Sequence, residues 1–495
     1  MFVSFLISGH VILVTALMYA ELSSRIPIKG SAFTYTYVTF GELPAFLVGC
    51  SLNLRYGATA ASLGRGIASY LNGLLEKLGC TVPAVMQGVT VFGVEDCSIV
   101  AVLALFILTF IFTLGMSESN TFNLVFTALK LLTLVAIIVM AYINMNLQNF
   151  TPFTLEEEGG LKGTFLAASI IVFGYTGFDA VTTLSEDARN PARDIPASVK
   201  AILPICMLLY FLTASSLSGM ARLEDLNAET AMADAFYSVG YERAGIVIYF
   251  CAVFGITTAC FTSIVCQPKI LQAQAADGLL PSVFSEVNAR TNTPVKGAWI
   301  SFAVMTIPAF FLDLEQITKV ISLGVLMTYS SVTACGVALR LRERETQTTV
   351  RSSNEVYVLL YLPVSLLTAY CLVRVDNVTV KCLTSAVTLA LIVVLACQPQ
   401  PNQPRAGHYK MPCVPVLPAL AILLNFCLAC SLDGLTWMIY GVFILLSVLI
   451  YLAYGMSHSN LEAETVMRGA METSLMSPGA SVDVVDEKDE WTLQK

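Results

Sequence analysis

The chain has 495 residues, 56% of them hydrophobic and only 13% charged, with a mean hydropathy of +0.73. That balance excludes a soluble globular domain and marks an integral membrane protein. A formal charge of −8 offers nothing to nucleic acid, so the lipid bilayer is the first partner.

Apolar runs long enough to cross about 30 Å of hydrocarbon as helices recur near 2–22, 41–64, 97–115, 121–143, 164–184, 198–220, 243–272, 296–312, 319–339, 356–374, 381–397, 414–430 and 434–456. About thirteen spans result, an all-α membrane domain over 1–456. The remainder, 457–495, contains "SPGASVDVVDEKDE" and is too polar to fold alone, so a disordered, acidic, cytosolic tail is expected.

Loops carrying "RIPIKG", "DARNPARD", "RLRERE" and "PRAGHYK" belong to a set with about twice the Lys and Arg of the alternate loops, and should face the cytoplasm. The alternate loops are acidic, and the sequons Asn149-Phe150-Thr151 and Asn377-Val378-Thr379 fall on their side. With the tail inside, an odd span count puts Met1 outside, directly before an apolar run. A further helix is therefore expected ahead of Met1.

The fourteen cysteines sit mostly in spans as small apolar residues. Cys80 and Cys97 share an external loop, where the sequence leaves a disulfide open. His10, His408 and His458 are far apart, and neither Cys-x-x-Cys nor Gly-x-Ser-x-Gly occurs. No metal, cofactor or catalytic constellation is expected, which argues against an enzyme.

Five positions inside spans stand out. Arg55, in "SLNLRYG", is a cation in the second span, and Lys130, in "NLVFTALKLLTLVAII", lies too deep in the fourth to snorkel easily to water. The fifth, "LKGTFLAASIIVFGYTGFDAVTTL", carries Gly174 and Gly177 at its centre and then Asp179. Each interior glycine costs roughly 1 kcal/mol relative to Ala. The pair marks either close helix packing or an interruption of the kind secondary transporters use to bind substrate.

At these residues the chain resembles a known family. "GFDAVTTLSEDARNPARDIP" is similar to the sixth-helix segment of the cationic amino acid transporter group of the amino acid–polyamine–organocation (APC) superfamily. "YAELSSRIPIKGSAFTYTYVTFGELPAF", "AADGLLPSVFSEVNARTNTP", "FLDLEQITKVISLGVLMTY" and "YKMPCVPVLPALAILLNFCLACSLDGLTW" match further segments in order, so the resemblance covers nearly the whole chain. It implies a broken-helix, inverted-repeat fold like that of the leucine transporter, with helices one to five and six to ten as the repeats and four more following. By that count this chain begins at the second helix. The family's first helix, whose unwound segment binds the substrate carboxylate, would precede Met1.

The resemblance also implies roles. Phe173, Gly174 and Tyr175 match the sixth-helix break, where carbonyls receive the amino group and an aromatic ring closes over the substrate. Asp179 matches the family's "GFD" aspartate beyond the break, where structural hydrogen bonding is expected and ligand contact is the other reading. Lys130 matches a fifth-helix lysine that stands in for sodium in bacterial relatives and can couple transport to protons; a fixed ion pair is the other reading. Ser263 matches an eighth-helix hydroxyl that either accepts from Lys130 or bonds its own backbone. Arg55 departs from the glutamate many relatives carry in the side-chain pocket, and would either pair with Asp179 or bind an anionic substrate. Lys269 would join Glu186 and Asp187 in an inside gate, unless all three are solvated loop charges. The expected function is secondary active transport of neutral or cationic amino acids by alternating access, with protons as a coupling ion. The alternative is a transport-inactive amino acid sensor or partner protein derived from such a transporter. A plasma membrane or a vacuole-like membrane suits the acidic external loops.

Overall fold

A computed structural model describes residues 2–26, 31–91, 94–115, 120–150, 160–183, 190–221, 226, 230–288, 290–291, 293–342, 353–404 and 407–459. Most of the expected tail, 460–495, lies outside the described residues. The helices are α1 (Phe2–Arg25), α2 (Ala32–Phe40), α3 (Glu42–Lys77), α4 (Ala84–Gln87), α5 (Ile99–Thr113), α6 (Asn120–Ile143), α7 (Gly160–Ile171), α8 (Phe178–Thr183), α9 (Pro191–Met220), α10 (Ala231–Ser238), α11 (Glu242–Ala276), α12 (Val295–Phe311), α13 (Leu314–Leu341), α14 (Ser353–Arg374), α15 (Val378–Cys397), α16 (Val416–Ser431) and α17 (Gly434–Ile450). Each expected span coincides with a helix, the fifth with the pair α7 and α8. Among the described residues, seven helices are long and apolar enough to cross a membrane, and five more are apolar but shorter. A hairpin of β1 (Val89–Val91) and β2 (Val94–Cys97) pairs Val89 with Cys97 and Val91 with Val94, a local addition to an otherwise helical chain. Cys80 is exposed and Cys97 buried, and no disulfide joins them.

The element pattern repeats. A span, a short helix, a very long helix and two further spans occur as α1-α2-α3-α5-α6 and again as α9-α10-α11-α12-α13. The long members have 36 residues in α3 and 35 in α11, far beyond the roughly 20 a bilayer needs. Equivalent elements pack on each other: α1 on α9, α3 on α11, and α5 on α12. This pairing is the inverted-repeat architecture, and the broken helix α7–α8 opens the second repeat.

At the centre stands α13, buried along nearly its whole length between α3, α16, α1 and α2. Large apolar side chains face outward instead on α6, α12, α15 and α17, among them Leu132, Ile307, Leu383 and Leu445. Lipid, not water, suits such a belt. Local sequence sets several helix starts. Asp313 and Asp433 accept from the backbone N–H three residues on, Gln316 at 2.9 Å and Thr436 at 2.8 Å, and Pro191 occupies the first turn of α9. These caps carry α13 and α9 beyond the apolar runs that mark their cores.

Candidate functional site

The fifth span is interrupted. After α7, about 18 Å of helix at 1.5 Å per residue, the chain tightens into a 3-10 turn over Val172–Tyr175. Thr176 is extended, at φ −76° and ψ 159°, Gly177 takes φ +114°, and α8 restarts at Phe178. Of the two readings of the glycines, close packing fails on distance. Among the described residues a Cβ at Gly177 would meet nothing within 4 Å, and one at Gly174 only the Tyr210 ring at 3.9 Å. Gly177 instead supplies the backbone angle of the break.

Freed carbonyls around the break find hydroxyls. Ile170 O accepts from Ser322 at 3.0 Å, Phe173 O from the Thr176 hydroxyl at 2.8 Å, and Gly174 O from Tyr210 at 2.9 Å. Tyr175 is buried, stacks edge-on against Tyr210 at 5.1 Å between centroids, and donates to Phe5 O of α1 at 2.9 Å. Phe173 is half-buried against the core, while Gly174 is exposed.

Two residues past the break, Asp179 accepts from Gly177 N at 3.1 Å and from Arg55 of α3. Arg55 Nη1 lies 3.2 Å from Asp179 Oδ1, and Nη2 bonds Oδ2 as well. Both residues are buried, and the pairing contact offered by the sequence is present. An aromatic box of Tyr19, Phe178 and Tyr329 adjoins the pair, with centroids 5.2 to 5.5 Å apart.

Lys130 is half-buried on α6, and its Nζ donates to the Thr258 hydroxyl on α11. Ser263 takes the alternative role, its hydroxyl bonding Ala259 O at 3.2 Å within its own helix. The Lys130 donor thus reaches α11 more than a turn earlier than the sequence suggested. Lys269 is exposed near the end of α11; Glu186 and Asp187 lie outside the described residues. Arg55, Asp179 and the 173–175 turn therefore come together around the α7–α8 break, whereas Ser263 and Lys269 do not contact it in any described bond.

Several participants escaped sequence reasoning. Thr258 and Tyr210 carry no signal, since hydroxyls in apolar helices are common. Glu21 was more visible, an acid inside the first span. It accepts from Arg340 Nε at 2.8 Å, Arg25 Nη1 at 3.4 Å and Met411 N at 2.8 Å, tying α1 to α13 and to the α15–α16 connection. At the opposite face Lys319 bridges Glu315 at 2.7 Å and Asp433 at 3.1 Å.

Comparison with known proteins places this geometry. The amino acid permease family matches residues 1–428, and the C-terminal region of these permeases matches 409–459. The chain is 32% identical to the cationic amino acid transporter 9, chloroplastic, of Arabidopsis thaliana, over 92% of this chain and 82% of that one. It is 30% identical to the cationic amino acid transporter 4, vacuolar, of the same plant, over 93% and 86%. With the methylthioribose transporter of Bacillus subtilis it shares 27% identity, again over 93% and 86%. A helix broken in mid-span, paired repeats and a match along nearly the entire length agree: this multi-pass membrane protein belongs to the amino acid permease family.

Proposed function

We propose that the chain transports neutral amino acids by alternating access around the α7–α8 break. The observation that carries this reading is the Arg55–Asp179 pair two residues beyond the break. A cationic side chain would need an unclaimed carboxylate, and Asp179 is already neutralised by a guanidinium. Tyr19, Phe178 and Tyr329 offer apolar surface beside the pair instead. Phe173, Gly174 and Tyr175 then line the binding segment, with Tyr210 holding Gly174 O until the substrate ammonium displaces it.

Lys130 is assigned to proton coupling. Its contact to Thr258 joins α6 of the first repeat to α11 of the second, so gain or loss of its proton acts where the repeats meet. A plasma or vacuole-like membrane fits the acidic external loops and the vacuolar relative.

The test is uptake into proteoliposomes of labelled leucine and arginine, with and without an inward proton gradient. Leucine should accumulate faster than arginine, and the gradient should increase leucine uptake. Arginine uptake exceeding leucine overturns the neutral class, and indifference to the gradient removes the proton.

A further inference from the structure

The described residues of the connection between α15 and α16 border an open cavity of about 360 Å³ beside the end of α13, lined among others by Arg340, Gln400, Gln403, Lys410 and Cys413. That volume falls within the roughly 300–1,000 Å³ of small-molecule sites. No carboxylate lines it among the described residues.

Charge around it is one-sided. Lys410 Nζ bonds Gln403 Oε1 at 2.5 Å and is exposed. Arg25 Nη2 donates to Asn402 O and Oδ1 at 3.1 Å, and Lys200 lies over the Tyr409 ring at 4.6 Å. The acid touching this group, Glu21, has no exposure and is already occupied by Arg340, Arg25 and Met411 N. Arg340 is 2% exposed, and its Nη1 reaches only Gln400 Oε1, at 3.4 Å. Nε and Nη2 are held by Glu21 and Met411 O, so Nη1 is the group a ligand would meet, and its 3.4 Å contact is long enough to yield to a better acceptor. Arg340 and Lys410 line the cavity, Arg25 and Lys200 hold neighbouring residues of the connection, and the nearest carboxylate is saturated.

We propose that this cavity binds a phosphate group, with Arg340 and Lys410 as its charged ligands. Phosphate provides the anionic, multi-acceptor geometry that a guanidinium and an ammonium recognise together. Arg340, which lines the cavity, also ties α13 to Glu21 of α1, so an occupant loads the contact between the two repeats. The phosphate can belong to an anionic lipid headgroup or to a soluble phosphate compound.

Native mass spectrometry of the delipidated full-length protein with short-chain phosphatidylinositol 4-phosphate or phosphatidylcholine, and calorimetric titration with inorganic pyrophosphate, separate the sources. Retention of the anionic lipid with no pyrophosphate binding assigns a lipid; the reverse assigns a soluble ligand. Lys410→Gln, at an exposed position, should weaken whichever binds by about tenfold, the loss of one charge-assisted contact. Lys296→Gln removes an exposed cation of the same face, bonded to Glu286, and should leave binding unchanged. Binding of neither probe, equal binding by wild type and Lys410→Gln, or an equal loss in Lys296→Gln overturns the proposal.

Discussion

Arg55 of α3 and Asp179 of α8 meet as a two-pronged, buried ion pair beside the interrupted helix. Removing one partner strands a charge where water cannot reach it, at about 3–5 kcal/mol. Arg55→Leu alone and Asp179→Leu alone should each lower the melting temperature of the detergent-solubilised protein sharply. The Arg55→Leu/Asp179→Leu double variant should recover most of the loss, because two apolar residues of similar volume replace the pair. Additive losses in the double variant would show that the two side chains do not act as a pair.

The break makes a separate prediction. Gly177 holds φ +114° with no described residue within 4 Å of its Cβ position, so Gly177→Ala costs backbone strain of roughly 1–2 kcal/mol and meets no clash among the described residues. Gly174 has no positive φ and its nearest neighbour is at 3.9 Å, so Gly174→Ala should fold normally. Thermal denaturation of the two variants side by side checks the asymmetry.

Lys130 makes the third. If its proton couples transport, Lys130→Ala should abolish the pH dependence of leucine uptake. Thr258→Val removes the acceptor with little change of shape, and should shift the midpoint of the pH profile without abolishing it. A Lys130→Ala profile that overlays wild type would end the coupling role.

Asp277, just past the end of α11, gives a pH signature outside the membrane. Burial, and then the nearby Glu42, push its carboxyl up to about 6. The unfolded value is near 3.9, so the folded protein holds this proton more tightly than the unfolded chain does. Charged Asp277 therefore destabilises the fold above about pH 6, and the penalty is relieved as pH falls from about 6 toward about 4. Asp277→Asn should raise stability at neutral pH by roughly 1–2 kcal/mol, after screening at a partly exposed site, and flatten the slope in that window. Melting temperatures of wild type and variant across pH 4–8 test the sign.

The spans were legible because a bilayer demands long apolar runs, and the interruption was legible as two glycines in the middle of one. Helix ends were less so. The polar turn at 314–318 joins α13 because Asp313 caps it, and the second half of α3 continues past residue 64 because Arg65 finds Ala309 O at 3.1 Å. Apolar periodicity records neither.

By itself the sequence located the long apolar runs that become helices, the run that breaks, and Arg55, Lys130 and Asp179 as costly charges within those runs. Only the tertiary structure decided their partners. Arg55 and Asp179 lie 124 positions apart, and Lys130 and Thr258 lie 128 apart. Such contacts follow from how α3, α8, α6 and α11 pack, and a buried charge accepts whichever partner that packing brings within about 3 Å. Hydroxyls that look alike in the chain, Thr258 and Ser263, were told apart the same way: both bond their own helix, but Thr258 also accepts from Lys130 of α6.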